Sequence, residues 1–403
     1  MSKKTIAAVP SLMREINERG VLDILRQKGA LHAAQVARLI GLSKPTTADI
    51  LRSLIEYGLV QEFTPGAEDP RRARSVYEAI SDVKVCLGID IGSRFIRAAV
   101  GNLNQVMLAE NSIPIKSLEL NDLVATMHTA VEEVLKSSGY KLKDVAAIVV
   151  GTPGVINHAT GVISIAGTIG SLDGVNLSSL IEEEFGLKPT LENDINLVTV
   201  AEQFAGHGHN VENFAVLSVG SGLGSGLVLN GKLLRGHRGA AGEIFYVPFG
   251  NPLDIHRTST NPSGDLIAEI AQSLAKKFPK SILKAPYSTV DILNAAKAND
   301  ELGIAVVEIE AERIALYVAA IAAITDVELV VLSGGIGRAA GFFLDSIEAL
   351  VSKVVPFAPR IEISTLGDTG ILVGALSSAT RTACDIVFTG KSTGVVRNVA
   401  GLK

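Results

Sequence analysis

Residues 216–250 read VLSVGSGLGSGLVLNGKLLRGHRGAAGEIFYVPFG, and this stretch decides the fold prediction. It predicts an apolar strand over Phe214–Val219 and a second apolar strand over 227–229. A glycine-rich bend is predicted between them, with glycines at Gly220, Gly222, Gly224 and Gly226. The Asn230-Gly231 pair that follows is typical of a type I′ hairpin turn, because both central residues of that turn need a positive φ.

The glycines of this bend allow two interpretations. They would let the phosphates of a ligand approach backbone N–H groups closely. They are equally consistent with a hairpin that packs tightly against a neighbouring element, and the spacing does not separate the two. The stretch then reaches the small residues 239–242 and Glu243, whose carboxylate could face the same ligand.

The same order of elements occurs earlier in the chain. Residues 83–92 (VKVCLGIDIG) predict an apolar strand ending at Gly92, and two further strands are predicted over 96–100 and 106–115. In each half a helix, over 120–136 or 303–324, then leads to an apolar strand, over 145–150 or 329–332, and a glycine loop. The second of these loops contains Gly334 and Gly335. Two such halves face each other across a cleft where the glycine loops gather. This is similar to the duplicated arrangement of actin-like sugar kinases, the ribonuclease H-like ATPase fold.

Length and composition place the chain among globular proteins with more than one domain, and the order of strands and helices described above makes the predicted fold class α/β. Its 403 residues are 47% hydrophobic and 20% charged, and this length favours two or three domains. The predicted divisions are a winged helix-turn-helix (1–80), a first actin-like half (83–200), a second actin-like half (201–380) and a C-terminal tail (381–403).

The chain carries no disulfide or membrane signal. Cys86 and Cys384 are too few for a disulfide framework, which favours a reducing compartment. The first residues lack a signal-peptide pattern, and the longest apolar run, 314–324, is too short to span a bilayer. These features predict a cytoplasmic protein without a membrane partner.

The first 80 residues differ from the rest in charge. They carry a net charge of +3, whereas the remainder carries −8. Helices are predicted over 12–27, 32–40 and 44–57, with Ser43 capping the third and Pro45 in its first turn. Two helices joined by a short glycine-containing turn form the helix-turn-helix arrangement, and the basic charge favours a polyanionic partner.

The DNA-contacting residues are predicted from the third helix and the wing that follows it. Strands over 59–63 and 75–77 would form a two-stranded wing with arginines at its tip, suited to phosphates or a minor groove. The exposed N-terminal part of the helix would meet base edges in the major groove. The candidates are Ser43, Lys44, Thr46, Thr47, Arg52, Arg71, Arg72 and Arg74. The alternative is a small trihelical module that binds proteins.

Six short motifs occur in a defined order in the body. They are GIDIG (88–92), TPGVI (152–156), LENDIN (191–196), GSGLGSGLVLNG (220–231), AAGEI (240–244) and LSGGIG (332–337). This ordering resembles the ROK family (repressor, open reading frame, kinase), and the winged helix in front resembles its transcriptional-repressor branch. The resemblance covers about residues 10 to 380.

The resemblance implies a sugar site and phosphate loops. In ROK kinases an aspartate acts as general base on the sugar hydroxyl, and Asp194 matches this aspartate, with Asn193 beside it. Glu243 matches a glutamate of the family that accepts hydrogen bonds from the sugar. A carboxylate in that position can take the hydroxyl proton as the oxygen attacks a γ-phosphate. An alternative is that these side chains only satisfy buried backbone donors. The phosphate-loop positions are Gly92, Gly220, Gly222, Gly224, Gly334 and Gly335.

Three departures from the family pattern oppose catalysis. Tyr246 stands where the family has a histidine that contacts sugar and zinc, and a tyrosine is a poor zinc ligand. The family's cysteine-rich zinc segment is missing, since residues 250–264 contain no cysteine. Arg94 replaces a small hydroxyl residue in the first phosphate loop, which argues against ordinary ATP binding. No resident metal or cofactor is therefore expected, and Asp194 would be a vestigial base.

The sequence predicts a DNA-binding transcriptional regulator, specifically a repressor of carbohydrate-related genes with an inactive kinase-like body. The expected partners are an inverted-repeat operator in double-stranded DNA, a sugar or sugar-phosphate effector, and further copies of the chain in a homodimer or tetramer. The alternative is an active ATP-dependent sugar kinase that carries a DNA-binding head.

Overall fold

The structure is a computed structural model that describes residues 10–64, 75–82, 84–250 and 260–392. None of the helices in these ranges combines the length and apolar character that crossing a membrane requires.

The head consists of three helices and a three-stranded antiparallel sheet. Its helices and strands are α1 (Pro10–Lys28), β1 (Leu31–His32), α2 (Ala33–Ile40), α3 (Lys44–Glu56), β2 (Val60–Phe63) and β3 (Val76–Ala79). The strand order is β1-β3-β2, which confirms the winged helix-turn-helix. The wing has one strand more than predicted, because Leu31 and His32 pair with Tyr77 and Val76.

The first half of the body is a five-stranded sheet with a small ribbon and helices around it. The elements are β4 (Val85–Ile91), β5 (Phe95–Asn102), β6 (Met107–Pro114), α4 (Leu120–Ser138), β7 (Val145–Thr152), β8 (Val155–Asn157), β9 (Val162–Ser164), α5 (Leu177–Phe185), β10 (Thr190–Asn193) and α6 (Asp194–Ala205). The sheet order is β10-β7-β4-β5-β6, and β8 pairs with β9.

The second half is built on another five-stranded sheet. The elements are β11 (Phe214–Val219), β12 (Leu223–Leu229), β13 (Lys232–Leu233), α7 (Gly264–Leu274), α8 (Thr289–Lys297), α9 (Glu301–Thr325), β14 (Leu329–Ser333), α10 (Gly334–Ala339), α11 (Leu344–Val354), β15 (Arg360–Ile363) and α12 (Gly370–Ser392). The sheet order is β13-β12-β11-β14-β15.

The two sheets have the same topology. In each, the first strand pairs antiparallel with the second and parallel with the fourth, and the fifth strand is added parallel at the edge. All seven residues of β4 are buried, and so are all five of β14, because helices cover both faces of these central strands. The predicted duplicated sugar-kinase-like fold is confirmed.

The predicted glycine bend is shorter than expected. The chain turns at residues 220–222, and Gly224 and Gly226 lie inside β12. A Cβ at Gly224 would lie 3.0 Å from Ile195, and one at Gly226 would lie 2.0 Å from the Thr199 hydroxyl oxygen. These two glycines therefore let α6 approach the sheet, which supports the packing interpretation for them. The Asn230-Gly231 turn forms as predicted, with φ values of 52° and 70°.

The last helix returns to the first half and to the head. Helix α12 packs on α6 and on β4, β5 and β7, and it continues past residue 380, where the C-terminal tail was predicted to begin. Residues 393–403 of that tail lie outside the described ranges. Buried residues of α12, β4 and the head belong to one continuous apolar cluster, including Leu376, Cys86, Leu22 and Leu51. The head is thus anchored to the body by shared packing.

Candidate functional site

A cleft of about 1050 Å³ lies between the two halves of the body. The first half contributes the β4–β5 turn with Arg94 and the start of α6. The second half contributes the β11–β12 turn, the segment that ends at Glu243, and the start of α10. The cleft therefore collects most of the predicted site residues from both halves.

Asn193 and Asp194 stand at the first turn of α6. The Asn193 side chain caps this helix, since its Oδ1 accepts from the backbone N–H groups of Ile195 and Asn196 at 2.9 and 3.2 Å. Its Nδ2 donates to the carbonyl of Gly154 at 3.1 Å. Both polar atoms of Asn193 thus bind backbone, as the alternative interpretation proposed, although the residue also lines the cleft.

Asp194 lines the cleft, and the contact that its carboxylate makes within the described ranges is to the adjacent backbone. Its Oδ1 accepts from the N–H of Ile195 at 2.8 Å. Burial raises the pKa of Asp194, even though backbone N–H groups at the helix start lower it. Burial also raises the pKa of Glu243, and the negative charge of Asp194 adds to this effect. The two carboxyl groups therefore face the same region of the cleft and suit hydroxyl-rich ligands.

The segment that carries Glu243 is fixed to the first half by an ion pair that sequence reasoning did not find. Arg235 Nε donates to Oε2 of the buried Glu192 at 2.6 Å. The other oxygen of Glu192 accepts from the N–H of Asn193 at 3.1 Å and from the Asn196 side chain at 2.9 Å. Glu192 therefore joins the start of α6 to the segment that ends at Glu243. The pair is 43 residues apart in sequence, so no local pattern indicates it.

A second pair missed by sequence reasoning lies beside Asp194. Asp90, in the GIDIG motif, is 2% exposed, and it accepts from Arg97 Nη1 at 3.0 Å. Burial raises the pKa of Asp90 to about 6; Arg97 opposes this rise and Asp194 adds to it. Arg97 therefore supplies the positive charge that partners Asp90. The signal of Asp90 in the sequence was an acidic residue inside a wholly apolar strand.

The predicted phosphate-loop glycines separate into two groups. Gly220, Gly222, Gly224, Gly334 and Gly335 line the cleft. Gly92 is not among the residues that line the cleft. Its N–H donates to the carbonyl of Phe95 at 3.1 Å, which closes the β4–β5 turn. Gly334 has φ +78°, and a Cβ there would lie 2.4 Å from the carbonyl oxygen of Val219. A glycine is therefore required at this position by packing alone. The predicted loop around it is the short helix α10.

Two of the predicted departures from the family pattern can be examined in the structure. Arg94 lines the cleft as an exposed cation. The described residues contain no group of three or more His, Cys, Asp or Glu side chains that could hold a metal ion. Tyr246, at the position of the family histidine, is 52% exposed. The described residues do not fit a zinc ion; residues 251–259 of the predicted zinc-segment position lie outside them.

The predicted DNA-contacting helix is α3, and its start is capped as expected. Ser43 Oγ accepts from the N–H of Thr46 at 3.2 Å and lies 2.7 Å from the Thr46 hydroxyl. Lys44, Thr46 and Arg52 are exposed, and Arg52 pairs with Asp49 at 3.2 Å. The exposed face of α3 therefore presents cations and hydroxyls from its first turn to its third.

The prediction that Thr47 contacts DNA is wrong. Its side chain is fully buried, and its hydroxyl donates to the carbonyl of Ser43 at 3.0 Å. Thr47 therefore holds α3 against the head and cannot reach base edges. The predicted wing-tip cations Arg71, Arg72 and Arg74 lie outside the described residues.

Comparisons with known proteins agree with this architecture. The family model described as "ROK family" matches residues 86–381, and that described as "IclR helix-turn-helix domain" matches residues 20–62. The chain is 25% identical to the xylose repressor of Caldicellulosiruptor bescii, over 91% of this chain and 96% of that protein. It is 29% identical to a glucokinase of Halalkalibacterium halodurans, over 72% of this chain and 93% of the enzyme.

Among solved structures, the fold matches a ROK family transcriptional regulator described as a homologue of the Escherichia coli MLC protein. The TM-score is 0.80 at 21% identity, and the match covers 96% of this chain and 100% of the other. The kinase-like body and the helix-turn-helix head therefore occur together in both. On the match of its body to the family model, the chain belongs to the ROK family.

Proposed function

We propose that the protein is a DNA-binding repressor whose kinase-like body senses a sugar or sugar phosphate. The observation that carries the proposal is the presence, in one chain, of an exposed, capped recognition helix and a cleft lined by carboxylates. The similarity to a protein named xylose repressor over nearly the whole chain supports the same function.

The head would bind DNA through α3. Lys44 and Arg52 can donate to guanine edges or phosphates, and the capped N-terminus of α3 can approach a phosphate. Two heads of a homodimer would read the half-sites of an inverted repeat, since two-fold symmetric proteins and palindromic operators go together.

The cleft would bind the effector. The carboxylates of Asp194 and Glu243 accept hydrogen bonds from sugar hydroxyls, and the exposed Arg94 suits an anionic substituent such as a phosphate. A ligand that binds one arrangement of the two halves better than another shifts the protein toward that arrangement. The effector would in this way change the affinity of the heads for DNA.

The body would not transfer phosphate in this proposal. Asp90 is neutralised by Arg97 and so does not offer a free carboxylate for a magnesium ion beside the phosphates. Arg94 adds bulk and positive charge in the turn where a nucleotide phosphate would approach the backbone.

Fluorescence anisotropy with the promoter fragment next to the protein's own coding region tests DNA binding. We expect salt-dependent, saturable binding that random duplex of equal length does not match. Sedimentation velocity on the same samples should show a dimer or larger assembly. Equal affinity for both duplexes would refute sequence-specific repression.

The second candidate function is ATP-dependent sugar phosphorylation. It is favoured by Asp194, since a carboxylate with a raised pKa in a cleft is suited to take a hydroxyl proton. A coupled phosphorylation assay over hexoses and amino sugars separates the two functions. Turnover in the native protein that disappears in Asp194→Asn would establish the kinase. A native protein without turnover supports a body that only senses its ligand.

A further inference from the structure

Helix α12 begins at the cleft. Its first residues, Gly370 and Ile371, line the cleft together with Gly367 and Asp368 just before them. Asp368 forms an ion pair with Arg338 of α10. The start of α12 is therefore part of the wall that a ligand would contact.

The middle of α12 is in direct contact with α6. A Cβ at Gly374 would lie 1.9 Å from the carbonyl oxygen of Leu197, so no side chain fits between the two helices. On β4, a Cβ at Gly88 would lie 3.1 Å from the Cβ of Ala375. Because α6 starts with Asp194 and close-packed interiors transmit displacements, a shift at the start of α6 must also move α12.

The far part of α12 contacts the head. Asp385 forms an ion pair with Arg19, and Arg26 Nη1 donates to Cys384 Sγ at 2.9 Å. Both arginines belong to α1, whose apolar face packs in one cluster with the buried side of α3. The members of that cluster from these two helices are Val21, Leu22, Leu25, Ile50, Leu51 and Leu54. A displacement of α12 at Cys384 and Asp385 would therefore reach the recognition helix through α1.

We propose that α12 transmits the state of the cleft to the DNA-binding head as a rigid rod. Residues 370–385 of this helix cover about 22 Å, at about 1.5 Å per residue. The inference rests on the proposed function and adds the route by which the site is regulated. Coupling of this kind is reciprocal. DNA bound at the head must change the affinity of the cleft for its effector by the same free energy by which the effector changes the affinity of the head for DNA.

Reciprocity allows a test without a known effector. The full chain is used to select a duplex from a random-sequence library, and hydrogen–deuterium exchange is measured with and without that duplex. We expect protection on α3 and, in addition, altered exchange in peptides that cover 366–375 and 193–198. A response confined to residues 10–64 would overturn the inference.

A double variant tests the route itself. Cys384→Ala with Asp385→Ala removes the α12 partners of Arg26 and Arg19 and leaves the head sequence intact. We expect protection on α3 to persist while the remote response falls at least threefold. Arg381→Ala, an exposed residue of the same helix, is the matched control and should behave like the native protein.

The outcomes distinguish a failure of the route through α12 from a failure of the proposed DNA-binding function. An undiminished remote response in the double variant would overturn the route through α12. Should the double variant fold poorly, Asp385→Asn keeps the shape of the side chain and should still weaken the remote response. Failure to select any duplex would contradict the proposed DNA-binding function, and this inference would fall with it.

Discussion

Glu310 lies in the middle of α9 with its side chain fully buried, and neither of its oxygens has a hydrogen-bond partner among the residues that the structure describes. The nearby Arg313 lowers the pKa of Glu310, but burial outweighs this effect and raises the pKa from 4.5 to about 8. The folded protein therefore holds a proton on Glu310 in a range of pH where the unfolded chain has lost it. We expect Glu310→Gln, which is neutral at every pH, to remove this difference.

The sign and size of the effect follow from proton linkage. Since the folded state keeps the proton longer, the stabilisation is complete below pH 4.5 and is lost as the pH rises toward about 8. The free energy of unfolding falls by about 1.4 kcal/mol per pH unit in this range, or by about 4 kcal/mol from about pH 5 to about pH 8. For a cooperative unit of about 180 residues, 4 kcal/mol corresponds to about 10 °C in melting temperature.

Differential scanning fluorimetry across this pH range measures the effect. The Gln variant should melt close to the native protein at about pH 5 and clearly above it at about pH 8, because it avoids the cost of a buried carboxylate. Glu312→Gln, an exposed position of the same helix, is the control and should leave the pH dependence unchanged. The same pH dependence of the melting temperature in native protein and Glu310→Gln would show that Glu310 does not take up a proton on folding.

Three further predictions concern the head and the cleft. Arg52→Ala should weaken binding to a selected duplex by about 5- to 150-fold in fluorescence anisotropy, as expected for loss of about 1–3 kcal/mol of base or phosphate contact. Its counterpart Thr47→Ala should lower the melting temperature without changing base preference. Arg94→Ala should weaken binding of sugar phosphates by about tenfold or more in calorimetry, because a charge-assisted hydrogen bond is lost, and should spare unphosphorylated sugars. Arg235→Gln should lower the free energy of unfolding by about 1–3 kcal/mol in urea, because Glu192 stays buried without its cation. The loss is moderate because Arg235 is half-exposed, so solvent already screens part of the interaction. An equal loss in the exposed control Arg238→Gln would contradict this.

The features that sequence predicted well are those fixed by neighbours in the chain. The cap of α3 depends only on Ser43 and on Thr46, three positions later in the chain. The Asn230-Gly231 turn depends only on the φ angles of its own two residues. The duplicated strand order was also visible, because central strands buried on both faces are continuous apolar runs. Such local rules carry little information about which side chains meet across the fold.

The errors and omissions arise where tertiary contacts decide. Thr47 differs from Thr46 by one position, which is 100° around the helix, and that rotation turns it from solvent into the core. The pair of Asp90 and Arg97 forms across a hairpin, and the pair of Glu192 and Arg235 joins two halves of the body. An acidic residue in an apolar strand can be noticed, but composition and periodicity do not identify its partner, since each pair depends on how strands and halves are brought together.

The glycines of the opening stretch show most clearly how packing and function are joined in this body. Gly226 lets β12 approach α6 from one side, and Gly374 lets α12 approach α6 from another. Helix α6 is therefore held between the second sheet and the helix that reaches the head, with Asp194 at its start, on the cleft. Side chains larger than glycine at either position would separate α6 from its neighbours and uncouple the cleft from α12. Gly226, which first suggests a phosphate cradle, thus acts with Gly374 to make α6 the element through which a ligand in the cleft can act on the rest of the chain.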